Sequence, residues 1–408
     1  MRTHLLTLLT VALGCGGVAV GDGTTAFAEG PDEAAIGGPA SGPAPGPADS
    51  DLPRPGGAGP KGEPTKDGSD SDPPPPEAPP STTVVLRGAM VVGQGVRDLA
   101  FDLTTAKIVA DADASATVED VAGKWLVPAF IDSHVHLAFF PVGDDLAQAG
   151  VVAAVDLAAP ARFVGTTPAT GARVLWAGPM VTPPLGYPTQ SWGRNGYGAE
   201  CEGISACQAV VERLVDAGAQ LIKVPVGQGP DHPADVLAAV VAAAHARRVP
   251  VTSHSVTDAA ASNAAAAGVD LLAHTPTQRL SDETVSAWSG KAVISTLGAF
   301  GGTADTVENL RRLRAAGTTV LYGTDLGNTR TVGIDGREIA LLVEAGLDGA
   351  AILAAGTHIP ATFWGLHDLG TLLPGNAASL LVLDADPLVT PSTLAASRQV
   401  WINGVRQR

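Results

Sequence analysis

Two histidines stand two residues apart at the end of an apolar run, Leu126-Val127-Pro128-Ala129-Phe130-Ile131-Asp132-Ser133-His134-Val135-His136. Side chains on an extended strand alternate faces, so His134 and His136 point the same way. Two imidazoles fixed side by side suit a borderline-soft divalent cation such as zinc. Alone, the pair reads equally well as two polar residues on a surface strand. Further along, other short apolar runs end in Lys223, His254, His274 and Asp325. Each of these can ligate a metal, the lysine only after it loses its proton and gains an acidic group.

The elements that must position these residues alternate in type. Apolar runs at 127–131, 151–157, 173–177, 219–224, 249–253, 269–273, 292–296 and 318–322 are separated by helical patterns at 205–217, 233–247, 258–267, 304–316 and 337–345. Strand–helix alternation signals a parallel sheet. Eight such runs over roughly 250 residues match the count and length of a (β/α)8 barrel, whose chemistry sits at the C-terminal ends of its strands. The metal-competent residues then share one rim. Strand patterns recur at 84–110 and at 379–403, so the two flanks are expected to build a second, smaller β-domain. The expected fold is α/β: a (β/α)8 TIM-like barrel over 127–367, with a small β-sandwich domain formed by 83–126 and 368–408.

The markers Ile131-Asp132-Ser133-His134-Val135-His136, Leu221-Ile222-Lys223-Val224, Thr252-Ser253-His254, Leu272-Ala273-His274, Gly323-Thr324-Asp325 and Leu369-Gly370-Thr371-Leu372-Leu373-Pro374-Gly375-Asn376-Ala377-Ala378 together resemble the amidohydrolase superfamily. Within it the resemblance is to the imidazolonepropionase-like and metallo-dipeptidase branch, over about 83–406. Asn376 and Ser379 depart from the Gly-Lys-x-Ala-Asp usual in the tail, and Ala129 from the usual Pro-Gly; none of these is a ligand. The resemblance implies a hydrolase with two divalent metal ions, zinc by donor type. His134, His136 and Asp325 would hold one ion and His254 and His274 the second, with a carboxylated Lys223 bridging them. It implies a bridging hydroxide that attacks a C–N amide or related acyl bond, with Asp325 as the catalytic proton shuttle. A mononuclear deaminase or imidazolone-type ring hydrolase is the alternative within the superfamily, and usually lacks the lysine. A catalytically inactive barrel serving as a surface binding module is the alternative of another class.

A small-molecule substrate would be met by the loops after the strands. Tyr187, Trp192, Arg194 and Tyr197 lie in the long loop after the third run, and His232 follows Lys223; Gln278 and Arg279 are weaker candidates. His245, in an Ala-rich helical stretch, reads as a surface residue.

The chain has 408 residues, of which 45% are hydrophobic and 16% charged, enough apolar content for a large core. A net charge of −16 argues against nucleic-acid binding, which needs a basic footprint. Residues 1–20 read as an export signal: Arg2 and His4 precede a short apolar core and then Ala12-Leu13-Gly14-Cys15. That last tetrapeptide resembles a bacterial lipobox, which would lipidate Cys15 and attach the protein to a membrane; Ala12 departs from the usual Leu, and an unmodified residue beside an ordinary cleavage site is the other reading. Residues 21–82, rich in Pro and Gly, read as a disordered tether. The protein is thus expected to be exported, either as a cell-envelope lipoprotein or secreted. In that setting the remaining pair, Cys201 and Cys207, reads as a disulfide.

Overall fold

The computed structural model describes residues 81–167 and 171–408. The expected signal, Cys15 and nearly all of the tether lie outside the described residues. No helix among the described residues is long and apolar enough to cross a membrane.

The N-terminal flank supplies β1 (Thr83–Val91), β2 (Gly95–Asp102), β3 (Lys107–Val109), β4 (Thr117–Asp120) and β5 (Trp125–Pro128). The middle of the chain carries β6 (Phe130–Val135), β7 (Val151–Asp156), β8 (Arg173–Trp176), β9 (Met180–Thr182), β10 (Gly198–Glu200), β11 (Ile222–Pro225), β12 (Val251–His254), β13 (Leu271–Leu272), β14 (Ala292–Ile294) and β15 (Thr319–Leu321). The C-terminal flank adds β16 (Leu380–Leu383), β17 (Gln399–Ile402) and β18 (Val405–Arg406).

Both flanks contribute to one eight-stranded sheet, ordered β18-β17-β16-β5-β1-β2-β3 with β4 beside β1. The sequence reading expects a two-layer sandwich there. The difference lies in β1, which changes partner at a register shift: Val84–Arg87 pairs with β4, Met90–Val91 with β5, and Gly88 between them has φ +73°. One bent strand therefore joins what two layers would have separated. This sheet also explains the alternation along β16. Leu380 and Val382 enter a small core with Leu86, Phe101 and Trp401, whereas Leu381 and Leu383 enter the large core of the middle segment. Successive side chains serve opposite faces, so a one-residue slip would exchange the two cores.

The middle strands are parallel and fall into paired groups: β6-β7-β8, β9-β10, and β11 through β15 in order. They do not form one continuous ladder. Isolated backbone bonds cross two of the gaps, one across the first and several across the second. Gln220 N–H donates to the Trp176 carbonyl (3.1 Å), while Ser133 donates to Tyr322 (2.9 Å) and Asp325 to His134 (2.8 Å). Helices pack between the strands, and their starts are set by side-chain caps: Thr257, Ser281, Thr303, Asp335 and Asp348 each accept a backbone N–H of the first turn. The helix Ile204–Asp216 buries Cys207, Val210, Val211 and Leu214, one stripe of a 3.6-residue period.

Two sequence boundaries need correction. The run expected as one strand at 127–131 is two strands broken at Ala129: β5 belongs to the flank sheet, so the flank extends through Pro128 rather than ending at 126. Lys223, expected at a strand end, lies inside β11 beside Thr252.

Candidate metal centre

His134 lies within β6 and His136 just beyond it; Lys223 is on β11, His254 ends β12, and His274 and Asp325 follow β13 and β15. All six are buried. The Nε2 atoms of His134 and His136 are 3.2 Å apart, and Asp325 Oδ1 is 3.4 Å from the first and 3.2 Å from the second. Lys223 Nζ is 3.4 Å from His134 Nε2. Ligand atoms of His134, His274 and Asp325 all lie within 4.8 Å of one another, and the His254 ring is 4.9 Å from that of His274.

The approach of Asp325 to both histidines is built into its neighbours. Gly323 passes so close to β6 that a Cβ there would meet Ile294 at 2.4 Å and the His134 backbone nitrogen at 3.1 Å. Gly327, at φ +120°, would meet His136 Cβ at 2.8 Å. Asp325 itself holds φ +56°, a left-handed conformation that Asp tolerates better than most residues. Asn328 Nδ2 donates to both its carboxylate oxygens at 3.1 Å.

Two further carboxylates, whose roles sequence reasoning missed, support the ligands. Asp132 accepts the His134 N–H (3.0 Å), the Thr324 N–H (3.1 Å) and the Thr324 hydroxyl (2.6 Å), tying β6 to the Asp325 segment. Burial outweighs these bonds and pushes its carboxyl up to about 7. Asp156 accepts N–H groups from Ala138 and Ala158, both at 3.0 Å, and burial pushes it up to about 6. The available signal was an acidic residue within or ending an otherwise apolar strand.

The donor set suits a cation. His134 Nδ1 lies 2.8 Å from the Ala273 carbonyl, which can only accept, so Nδ1 carries the proton and Nε2 presents a bare lone pair. That lone pair faces the Asp325 carboxylate, and a cation between two such acceptors would satisfy both. Burial, reinforced by Lys223 and the neighbouring rings, holds His134 well below its ordinary pKa. For His274 burial comes first, followed by His254 and Lys223; burial holds His254 at about 3. These imidazoles are therefore neutral, the form that ligates. His136 Nδ1 is buried with no hydrogen-bond partner, a further unspent polar atom in the cluster. Burial also brings the Lys223 ammonium down to about 8, against the pull of Asp325 and Asp156.

A profile of the amidohydrolase family matches residues 145–406. The chain belongs to the amidohydrolase family. The matched stretch holds Lys223, His254, His274 and Asp325, while His134 and His136 precede it. No curated protein matches this amidohydrolase. Among solved structures it is similar to an amidohydrolase at 21% identity (80% of this chain, 98% of that one, TM-score 0.66). It is also similar to a Xaa-Pro dipeptidase with bound methionine in the active site, at 17% identity (79% and 99%, TM-score 0.66), and to a putative prolidase from Bifidobacterium longum at 21% (80% and 95%, TM-score 0.65). At these identities the likeness is one of fold.

The expected substrate residues divide into two groups. Tyr187 stacks on His254 at 4.9 Å and Trp192 meets His136 edge-on at 5.5 Å, so both reach the cluster. Tyr197 instead donates to the Ala138 carbonyl (3.0 Å) and packs with Met180 and Ala158, anchoring the loop from below. Arg194 is exposed, its guanidinium on the Gln190 carbonyl. His232 lies beside the cysteines, 3.9 Å from Cys201 Sγ, and none of its described contacts reaches the cluster. Gln278 accepts the Asp258 N–H and Arg279 pairs with Glu308, so both act structurally. His245 is at the surface, paired with Asp270. Phe300, not singled out by sequence, packs 4.9 Å from His274. The buried Glu338 carboxylate holds its short helix by accepting the N–H groups of Leu297 (3.0 Å) and Gly298 (2.7 Å).

Cys201 and Cys207 are joined in a disulfide, with Cα atoms 5.1 Å apart. It fastens the end of the loop carrying Tyr187 and Trp192 to the helix Ile204–Asp216. So short a loop yields on the order of 2–3 kcal/mol at most. The double Cys→Ser variant is therefore expected to raise KM more than it lowers Tm. Equal KM with a large drop in Tm would show that the bridge serves only stability, and thiol titration of the unfolded, unreduced protein checks the bond itself.

Proposed function

We propose that this amidohydrolase is an exported, binuclear metal-dependent hydrolase of a C–N amide or related acyl bond, its parallel strands acting as a (β/α)8 barrel. The observation that carries the reading is the convergence of the His134 lone pair, His136, His274 and the Asp325 carboxylate beside a buried Lys223. His134, His136 and Asp325 would hold one ion and His254 and His274 the other, with Lys223 shared as its carbamate. When bound, the two divalent ions, zinc by donor type, lower the pKa of a water and polarise the scissile carbonyl. The chain's own groups do the rest. Asp325 takes the proton from the attacking water and delivers it to the leaving nitrogen. The Trp192 indole can only donate, and its Nε1–H bonds to the Tyr187 oxygen at 2.8 Å, which leaves the Tyr187 hydroxyl proton available to a substrate oxygen. The likeness of fold to the Xaa-Pro dipeptidase and the prolidase supports an amide-type bond. A mononuclear site would leave the buried Lys223 without a use.

Metal analysis of the purified protein tests the reading. About two ions per chain are expected; about one favours the mononuclear alternative, and none favours a binding module. Hydrolysis is then assayed on a panel of dipeptides, N-acyl amino acids and neutral amides. The export part of the proposal has its own check. Mass spectrometry of the mature protein should find a lipid-modified Cys15 at the N-terminus, where two acyl chains give stable anchoring. A free N-terminus beyond Cys15 would mean a secreted enzyme.

A further inference from the structure

The ligands themselves are buried, so a substrate reaches them past whatever lies against them. Those neighbours are aromatic. Tyr187 covers His254, Trp192 covers His136, and Phe300 stands 4.9 Å from His274 and 6.5 Å from His254. Phe139, 37% exposed, continues the wall at 5.6 Å from Trp192. Tyr187, Trp192 and Phe300 are each only partly buried, in contrast to the ligand candidates they cover. In a chain that is only 4% aromatic, rings from three different loops gather around this one cluster. The rings are also held. The indole–phenol bond fixes Trp192 against Tyr187, and Glu338 fixes the turn bearing Phe300.

Several of the charges nearby have partners within the chain. A dipeptide carries a carboxylate and an ammonium, and a site that prefers one needs a cation and an anion to receive them. On the surrounding loops, Arg194 sits on the Gln190 carbonyl and Arg330 lies over the Phe140 ring at 4.5 Å. Glu200 accepts the Leu185 N–H and Asp231 the Gly227 N–H. Among the described residues, Lys223 is the only lysine or arginine with a hydrogen bond to the ligand cluster, and the proposed mechanism uses it as a ligand.

We infer that the substrate is a neutral amide whose acyl side presents a flat apolar group, an arylalkyl chain, to the wall of Tyr187, Trp192 and Phe300. This inference rests on the amide-hydrolase reading above and adds the substrate class. It sets this amidohydrolase apart from a dipeptidase built on the same fold.

The metal-loaded full-length protein is assayed against phenylacetanilide, acetanilide, N-phenylacetyl-proline and leucyl-proline, and the binding of phenylacetamide is followed by calorimetry. The expected result is a kcat/KM for phenylacetanilide about tenfold or more above that for acetanilide, the scale of apolar discrimination in a hydrophobic pocket. Both carboxylate-bearing compounds should be poorer still. Phe300→Ala should narrow the ratio between the two anilides and weaken phenylacetamide binding while metal content stays at the wild-type level. Arg330→Gln should leave all rates unchanged. A preference for either carboxylate compound, a loss of rate in Arg330→Gln, or an equal fall on both anilides in Phe300→Ala would overturn the inference while leaving amide hydrolysis intact. Absence of hydrolysis on every compound would defeat the amide-hydrolase reading; calorimetry then decides the wall separately, since phenylacetamide binding that Phe300→Ala weakens upholds it and no binding overturns it.

Discussion

Replacing Lys223 by alanine is expected to lower activity by about three orders of magnitude, about 4 kcal/mol of transition-state stabilisation, and to reduce bound metal from about two ions per chain. The argument begins with burial. A fully buried lysine with no carboxylate within ion-pairing distance among the described residues is costly to keep charged, and burial brings its ammonium down to about 8. Its Nζ lies 3.4 Å from the His134 imidazole, itself a ligand candidate. A neutral amine in that position can react with carbon dioxide, and the carbamate so formed is an anionic oxygen donor where an ammonium could be none. Removing the side chain deletes that donor but leaves a cavity of its length. A short carboxylic acid such as propionate should therefore restore part of the activity and of the metal content. The pH dependence has a definite sign. In metal-free, carbonate-depleted protein, reloading at fixed dissolved carbon dioxide should quicken as pH rises and level off above about 8, because only the unprotonated amine reacts. An unrescued Lys223→Ala enzyme with wild-type turnover would remove the lysine from the mechanism.

The clustering of the six candidate ligands was legible in the sequence because each metal-competent residue closes, or nearly closes, a short apolar run, and the strand–helix alternation places those run ends together. What surrounds the ligands was legible only in part. Tyr187 and Trp192 could be named from a loop dense in Pro, Gly and rings, but Arg194 and Tyr197 in that loop, and His232 after β11, could not be told apart from them. Their roles depend on which way a loop folds, and loop direction is set by tertiary contacts such as the Tyr197 bond to Ala138. Phe300 was missed for the complementary reason. It sits in a short 3-10 turn whose position is fixed by Glu338, forty residues downstream on the helix Gly336–Glu344, and no local periodicity encodes such a contact. The flank sheet shows a third limit. Alternation along β16 and β17 reveals two-sided burial, yet the change of partner within β1 at Gly88 decides whether the strands form one sheet or two.

Asp325→Asn is expected to abolish most turnover, by roughly 10²–10⁴-fold, the range a positioned general acid–base residue supplies. The amide keeps the size of the carboxylate and one acceptor oxygen, so the tight passage between Gly323 and Gly327 should be preserved. What it loses is the capacity to take up a proton and release it again. His254 and His274 belong to other strands, and the variant should keep the ion proposed for them. Metal content should therefore fall by no more than about one ion per chain, against the proposed two. Asn328 gives a second handle on the same role, since its Nδ2 donates to both Asp325 oxygens. Asn328→Ala removes both donors without removing the carboxylate, so it should lower kcat/KM far less than Asp325→Asn does while metal content stays at the wild-type level. If Asp325→Asn retains wild-type turnover, the proton must travel through another group. Asp132 and Asp156 then become the candidates least able to serve, since their oxygens are already bonded to backbone and hydroxyl donors.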